Sequence, residues 1–160
     1  MKPIMLATDG SPTAEEATKQ AVELARQFDT ELVIVTAWDI PYSTLGYSAI
    51  PPVGDLLKSG KEQAEKVSGE AAKLAQTAGV PAQTVVLRGF PVEQITAAAV
   101  SFEPAILVLG SHGWGPLKRM VFGSVSTGVL HRASCPVLVV PAAAPDGAKS
   151  MREVREKAAA

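Results

Sequence analysis

The stretch AILVLGSHGWGPLKRMVFGSVS, residues 105–126, decides how this chain is read. Its first five residues are bare hydrophobics, of the kind that form a strand covered on both faces of a parallel sheet. The chain then leaves that strand through four glycines, with serines and a histidine among them. Gly123-Ser124 closes the passage where a helix is expected to begin, so backbone amides and the positive end of the helix dipole converge there. Two readings fit this composition. One is an ordinary glycine-rich connection with a flexible tip; the other is a backbone cradle for an anion. In the second, Gly110 and Gly113 supply positive φ or close backbone approach, and the Ser124 and Ser126 hydroxyls add donors to the main-chain amides.

Working outward, four more apolar runs appear, at residues 4–7, 32–37, 84–87 and 137–140. Helical patterns separate them. The first places Ala14, Ala17, Ala21, Leu24, Ala25 and Phe28 at three- and four-residue spacing. Ser11 stands as its cap and Pro12 at its first position, with Thr13 three residues before Glu16. The second spans roughly residues 55–78, with Ala64, Val67, Ala71, Leu74 and Ala78 on one face, and Gly79-Val80-Pro81 stops it. The third begins near Pro91 and carries Val92, Ile95, Ala99 and Phe102. The fourth starts at Ser124 and ends before Cys135-Pro136. With short loops and right-handed crossovers, this alternation predicts an α/β fold: a three-layer, doubly wound sandwich around a five-stranded parallel sheet, Rossmann-like in plan. Residues 39–54, with three prolines, two glycines and two tyrosines, predict a long loop over one edge of the sheet. Residues 142–160 read as a C-terminal tail, either a frayed end or a short docked helix, because Met151 and Val154 are its only large apolar side chains.

At 160 residues the chain is long enough for one domain with a real core. An apolar fraction of 47% and a charged fraction of 19% are those of a globular protein. Fifteen basic residues against sixteen acidic ones leave a net charge of −1. No basic stripe exists to hold nucleic acid or an anionic membrane surface, so neither partner is expected. The single cysteine, Cys135, fits a reducing compartment. The N-terminal apolar run is too short for a signal peptide and no segment approaches a membrane span, so a cytoplasmic location is expected.

In an open parallel sheet, ligands gather at the carboxyl ends of the strands. The residues expected there are Thr8, Asp9, Gly10 and Ser11; Ala37, Trp38 and Asp39; Arg88 and Gly89; and the glycine-rich passage. Common nucleotide motifs do not account for them. The phosphate-loop pattern G-x-x-x-x-G-K-[ST] is absent, and Gly113-Trp-Gly115 lacks the third glycine of a dinucleotide fingerprint. A phosphoacceptor receiver domain would want an aspartate at the third strand tip and a lysine after the fifth. Here Arg88-Gly89 and Val140-Pro141 occupy those places.

Gly110-Ser111-His112-Gly113, nine residues, then Gly123-Ser124 resembles the G-x2-G-x9-G-[ST] signature of the universal stress protein family. ILVLGSHGWG (residues 106–115) is similar to that family's fourth strand and loop, SCPVLVVP (134–141) to its closing strand, and MLATDGS (5–11) to its opening strand with an aspartate at the tip. The resemblance covers residues 1–141 and leaves the tail outside. It implies the adenine nucleotide alpha hydrolase-like variant of the Rossmann plan. Because the glycine frame is intact, it also implies the nucleotide-binding branch.

On that resemblance ATP, ADP or AMP lies across the first and fourth strand tips. Thr8 and Asp9 fall near ribose and phosphates, and Asp9 is the position that would meet Mg²⁺ carried on the nucleotide. The Ala37 backbone faces adenine. Gly110, Ser111, His112 and Gly113 line the ribose and first phosphate, and Gly123, Ser124, Val125 and Ser126 hold the phosphate chain. The resemblance further implies a homodimer through the fifth strand, which agrees with an apolar edge at residues 137–140.

Each residue also has a plainer reading. Asp9 serves equally as a turn residue before the first helix, and His112 as a partner within its own loop. Lys118 and Arg119 suit phosphate screening or solvent. Trp114 suits a ligand lid or a loop cover. Cys135 reads as a small buried hydrophobe. No acid or base partner marks His112 as catalytic, and no Walker-type lysine or arginine finger is evident. The leading function is therefore an adenine-nucleotide-binding regulatory module of the stress response. A slow Mg²⁺-dependent ATPase and a nucleotide-free dimeric partner-binding protein are the alternatives.

Overall fold

A computed structural model of the chain describes residues 1–39, 53–113 and 122–141. Of the loop expected over residues 39–54, residues 40–52 lie outside the described residues, as do the side chains of Trp114, Lys118 and Arg119 and the tail at 142–160; Val53 and Gly54, expected in that loop, instead open the second helix. Nine elements alternate: β1 (Ile4–Ala7), α1 (Pro12–Gln27), β2 (Leu32–Trp38), α2 (Val53–Thr77), β3 (Ala82–Arg88), α3 (Pro91–Phe102), β4 (Ile106–Gly110), α4 (Ser124–Arg132) and β5 (Val137–Val140). The sheet is wholly parallel, in the order β3-β2-β1-β4-β5. This is the predicted doubly wound α/β fold.

Side-chain alternation along the central strands supplies two cores. Ile4, Leu6, Leu32, Ile34 and Val108 face α1 and α2, against Ala17, Ala21, Ala25, Ala71 and Ala75. Met5, Ala7, Val33, Val35, Leu107 and Leu109 face α3 and α4, against Ile95, Ala98, Ala99 and Val129. Helices α1 and α2 meet the sheet mainly through alanine, so they lie close to it and bulk comes from the strands. The expectation of two covered faces holds for β1, β2 and β4. It does not hold for the edge strands: the first half of β3 is exposed, and Leu138 of β5 is 38% exposed. Apolar residues there signalled a strand without signalling its depth.

Two further corrections concern the helices. The buried face of α2 is Ala64, Ser68, Ala71 and Ala75, whereas Leu74 and Ala78 point outward. At the start of α1, Ser11 caps as expected, accepting from the Ala14 amide. Thr13 and Glu16 form no capping box, because the Thr13 hydroxyl is turned across to the loop after β4.

Candidate functional site

Strand order reverses between β1 and β4, whose following helices leave on opposite faces of the sheet. The two strand tips therefore splay their loops apart. A cleft of about 380 Å³ opens there, within the size range of small-molecule sites. It is lined by Thr8, Asp9, Ala37, Gly110, His112, Gly113, Gly123, Ser124, Val125 and Ser126, ten of the eleven residues singled out in the sequence. The eleventh, Ser111, is buried behind the loop and does not line the cleft. Ala7, Ala14, Pro91, Ile95 and Leu109, which sequence reading did not single out, complete the wall. They form an apolar floor, and in the sequence nothing distinguishes them from core. Only Ala7, Ala37 and Leu109 sharing one strand face near the tips would have hinted at it.

The polar side of the cleft is the N-terminus of α4. Gly123 is its cap residue, with φ −74° and ψ 169°, and supplies no side-chain cap. The Thr127 amide donates to the Gly123 carbonyl at 3.0 Å and opens the helical ladder. The amides of Ser124, Val125 and Ser126 precede that bond, so the ladder makes no use of them. All three residues line the cleft, at the positive end of the helix dipole. The Ser126 hydroxyl was expected to add a donor, and the structure assigns it elsewhere. It is buried and donates to the Ser111 and Gly123 carbonyls, each at 2.9 Å.

The three frame glycines are small for different reasons. Positive φ is not among them: among the described glycines it occurs at Gly10, Gly79 and Gly89. At Gly110 a Cβ would lie 2.6 Å from Thr13 Oγ1 and 2.8 Å from the Ala14 amide nitrogen, so only glycine lets α1 sit against the tip of β4. A Cβ at Gly113 would lie 2.6 Å from Asp9 Oδ2, inside the contact that joins the two strand-tip loops. At Gly123 a Cβ would make only ordinary contacts, at 3.4 Å from His112 Cα and the Ser111 carbonyl oxygen. Packing among the described residues therefore does not require glycine at that position.

Asp9 combines both of its sequence readings. It is exposed and lines the cleft, while its Oδ1 accepts from the Ser11 amide at 3.0 Å. Ser111 ties the loop from behind: its amide donates to the Val140 carbonyl at 2.8 Å, and its carbonyl accepts from the Gly123 amide at 2.7 Å. Its hydroxyl lies 3.0 Å from His112 Nδ1. Trp38 and Arg88 do not line the cleft. The Trp38 ring rests where a Cβ on Gly60 would come within 2.7 Å, and the Arg88 guanidinium lies 5.9 Å from its centroid. Among the described residues none of the lining side chains is Lys or Arg, and no group of three His, Cys, Asp or Glu is placed to hold a metal ion. Half-buried Cys135 has its thiol pKa pushed up by burial, which keeps it a neutral packing residue.

A family model described as the Universal stress protein family matches residues 1–141. The chain is 35% identical over 142 residues to a universal stress protein of Methanocaldococcus jannaschii, covering 87% of this chain and 81% of that one. To a universal stress protein of Thermus aquaticus it is 36% identical over 140 residues, covering 87% of this chain and 98% of the relative. Among solved structures, a universal stress protein in complex with cAMP matches at a TM-score of 0.64 and 25% identity, covering 89% of this chain and 98% of that one.

Proposed function

This chain belongs to the universal stress protein family, and we propose that within it the chain is an adenine-nucleotide-binding module whose occupancy regulates its partners. The observation that carries this reading is that the first three residues of α4, whose amides the helical ladder leaves unused, line a cleft that also has an apolar floor. An apolar slot takes a base; a helix N-terminus takes an anion without a basic side chain. The solved relative in complex with cAMP supports an adenine nucleotide as the ligand class. In this reading Ala37, Pro91, Ile95 and Leu109 hold the base. Asp9 and the Gly110–Gly113 segment meet the ribose and first phosphate, and residues 123–126 hold the phosphate chain.

ATP, ADP and AMP all present this chemistry. Asp9 is the one carboxylate lining the cleft among the described residues, so Mg²⁺ would arrive with the nucleotide's phosphates and supply charge neutralisation there. The module is read as a holder, with slow hydrolysis as the alternative, and as a cytoplasmic protein. β5 is an edge strand with Leu138 exposed, and Leu130 of the adjoining α4 is exposed as well. A homodimer through β5 would cover that edge.

The test is to denature protein purified without added nucleotide and chromatograph what it releases. ATP, ADP, AMP and adenosine are then titrated calorimetrically into the emptied protein. Release or micromolar binding of an adenine nucleotide supports the reading. A product ratio that drifts with Mg²⁺ separates hydrolase from holder. No binding of any of the four overturns it and leaves a partner-binding protein.

A further inference from the structure

We propose that Thr13, a buried residue of α1 that does not line the cleft, is a positioning residue: it orients the His112–Gly113 peptide and so sets phosphate affinity. This rests on the nucleotide reading above. The Thr13 hydroxyl donates to the His112 carbonyl and also accepts from the His112 amide at 3.3 Å. Ser11 Oγ donates to the same carbonyl at 3.2 Å. One peptide of the glycine-rich loop is thus held by two hydroxyls from a helix start some hundred residues away in sequence. The peptide bond is planar and trans, so a carbonyl drawn toward α1 turns the next amide, that of Gly113, away from α1. Gly113 lines the cleft, and the orientation of its amide decides whether it is a donor there.

Thr13 also fills the space left by Gly110, whose Cβ would lie 2.6 Å from its hydroxyl. The side chain is therefore wedged between Gly110 and His112, both cleft residues. The Ser11 hydroxyl divides its work, since it also caps α1. Among the described residues, the side-chain bonds of Thr13 all go to His112. A purely structural role would stabilise the fold and leave the ligand profile alone. A positioning role separates the phosphate from the nucleoside.

The experiment compares AMP and adenosine binding, by calorimetry and NMR titration, in the wild-type protein, Thr13→Val and Thr13→Ser. Valine keeps the shape and removes the hydroxyl; serine keeps the hydroxyl. Thr13→Val is expected to weaken AMP about tenfold, the size of one charge-assisted hydrogen bond, with adenosine changed by less than about twofold. Thr13→Ser is expected to restore AMP binding to near wild type. Unchanged AMP affinity in Thr13→Val overturns the proposal, as does an equal loss of AMP and adenosine. If the wild type binds ATP or ADP but not AMP, that nucleotide replaces AMP in the comparison; if it binds none of the four, the nucleotide reading itself falls and this one with it. Should Thr13→Val not fold, Thr13→Ala removes the same hydroxyl and is read by the same criteria.

Discussion

Two helix N-termini meet this cleft, and they are finished in opposite ways. At α1 two backbone donors are claimed by side chains of the protein itself. Asp9 takes the Ser11 amide, Ser11 takes the Ala14 amide, and Glu15 lies in the first turn. At α4 the cap is glycine, no side-chain cap is made among the described residues, and the first three residues, whose amides the helical ladder leaves unused, line the cleft. A helix start capped by glycine rather than by a hydroxyl or carboxylate forgoes roughly a few tenths of a kcal/mol of stability. That cost is sensible where a ligand supplies the missing acceptors, and the contrast locates the anion side of the site more sharply than any side chain does.

The largest expected effect breaks the packing that brings the two starts together. Gly110→Ala forces a Cβ against Thr13 and the backbone of Ala14, and neither is the far end of a flexible chain. Denaturant titration should show a loss of about 3 kcal/mol. A loss below about 1 kcal/mol would mean that α1 moves aside freely.

The most direct test of the comparison makes α4 resemble α1. Gly123→Asp has room for its Cβ, and its carboxylate would accept from the amides offered to phosphate. The variant should melt at or slightly above wild type yet bind AMP about a hundredfold more weakly, read by differential scanning and titration calorimetry. Undiminished binding would place the anion elsewhere.

A smaller effect removes one amide together with the Ser124 hydroxyl. Proline suits the first helical position, and Gly123 already has the extended ψ of 169° that a residue before proline needs. Ser124→Pro should therefore fold normally and lose about tenfold in AMP affinity with adenosine unaffected. The smallest lies at the other helix. Ser11→Ala removes a buried cap and should cost about 1 kcal/mol of stability in denaturant titration, with a modest loss of AMP through the bond to His112.

Much of the site was legible because strand tips, glycines and hydroxyls announce themselves. Ten of the eleven named residues line the cleft, and the one that does not, Ser111, differs from its neighbours only in facing the protein. Spacing placed it in the loop but does not register which way a peptide turns. Ser126 was read as a ligand donor because serines at helix starts often are; its burial against Ser111 is a three-dimensional fact. Pro91 and Ile95 were legible as helix residues and not as cleft wall, since an apolar side chain over a core and one over a ligand look alike in sequence.

The sequence by itself determined the alternation of strands and helices, the ends of α1 and α2 marked by Ser11, Pro12 and Gly79, and the family frame of glycines. These are local properties: periodicity, dihedral preference and the absence of a side chain act within a few residues. Only the tertiary structure decided why each frame glycine is small. The Gly110 Cβ would strike α1, that of Gly113 would strike Asp9, and that of Gly123 would strike nothing closer than ordinary contact. Steric exclusion depends on atoms that the fold brings together from distant parts of the chain. No reading along the chain can separate a glycine that packing demands from one that packing merely permits.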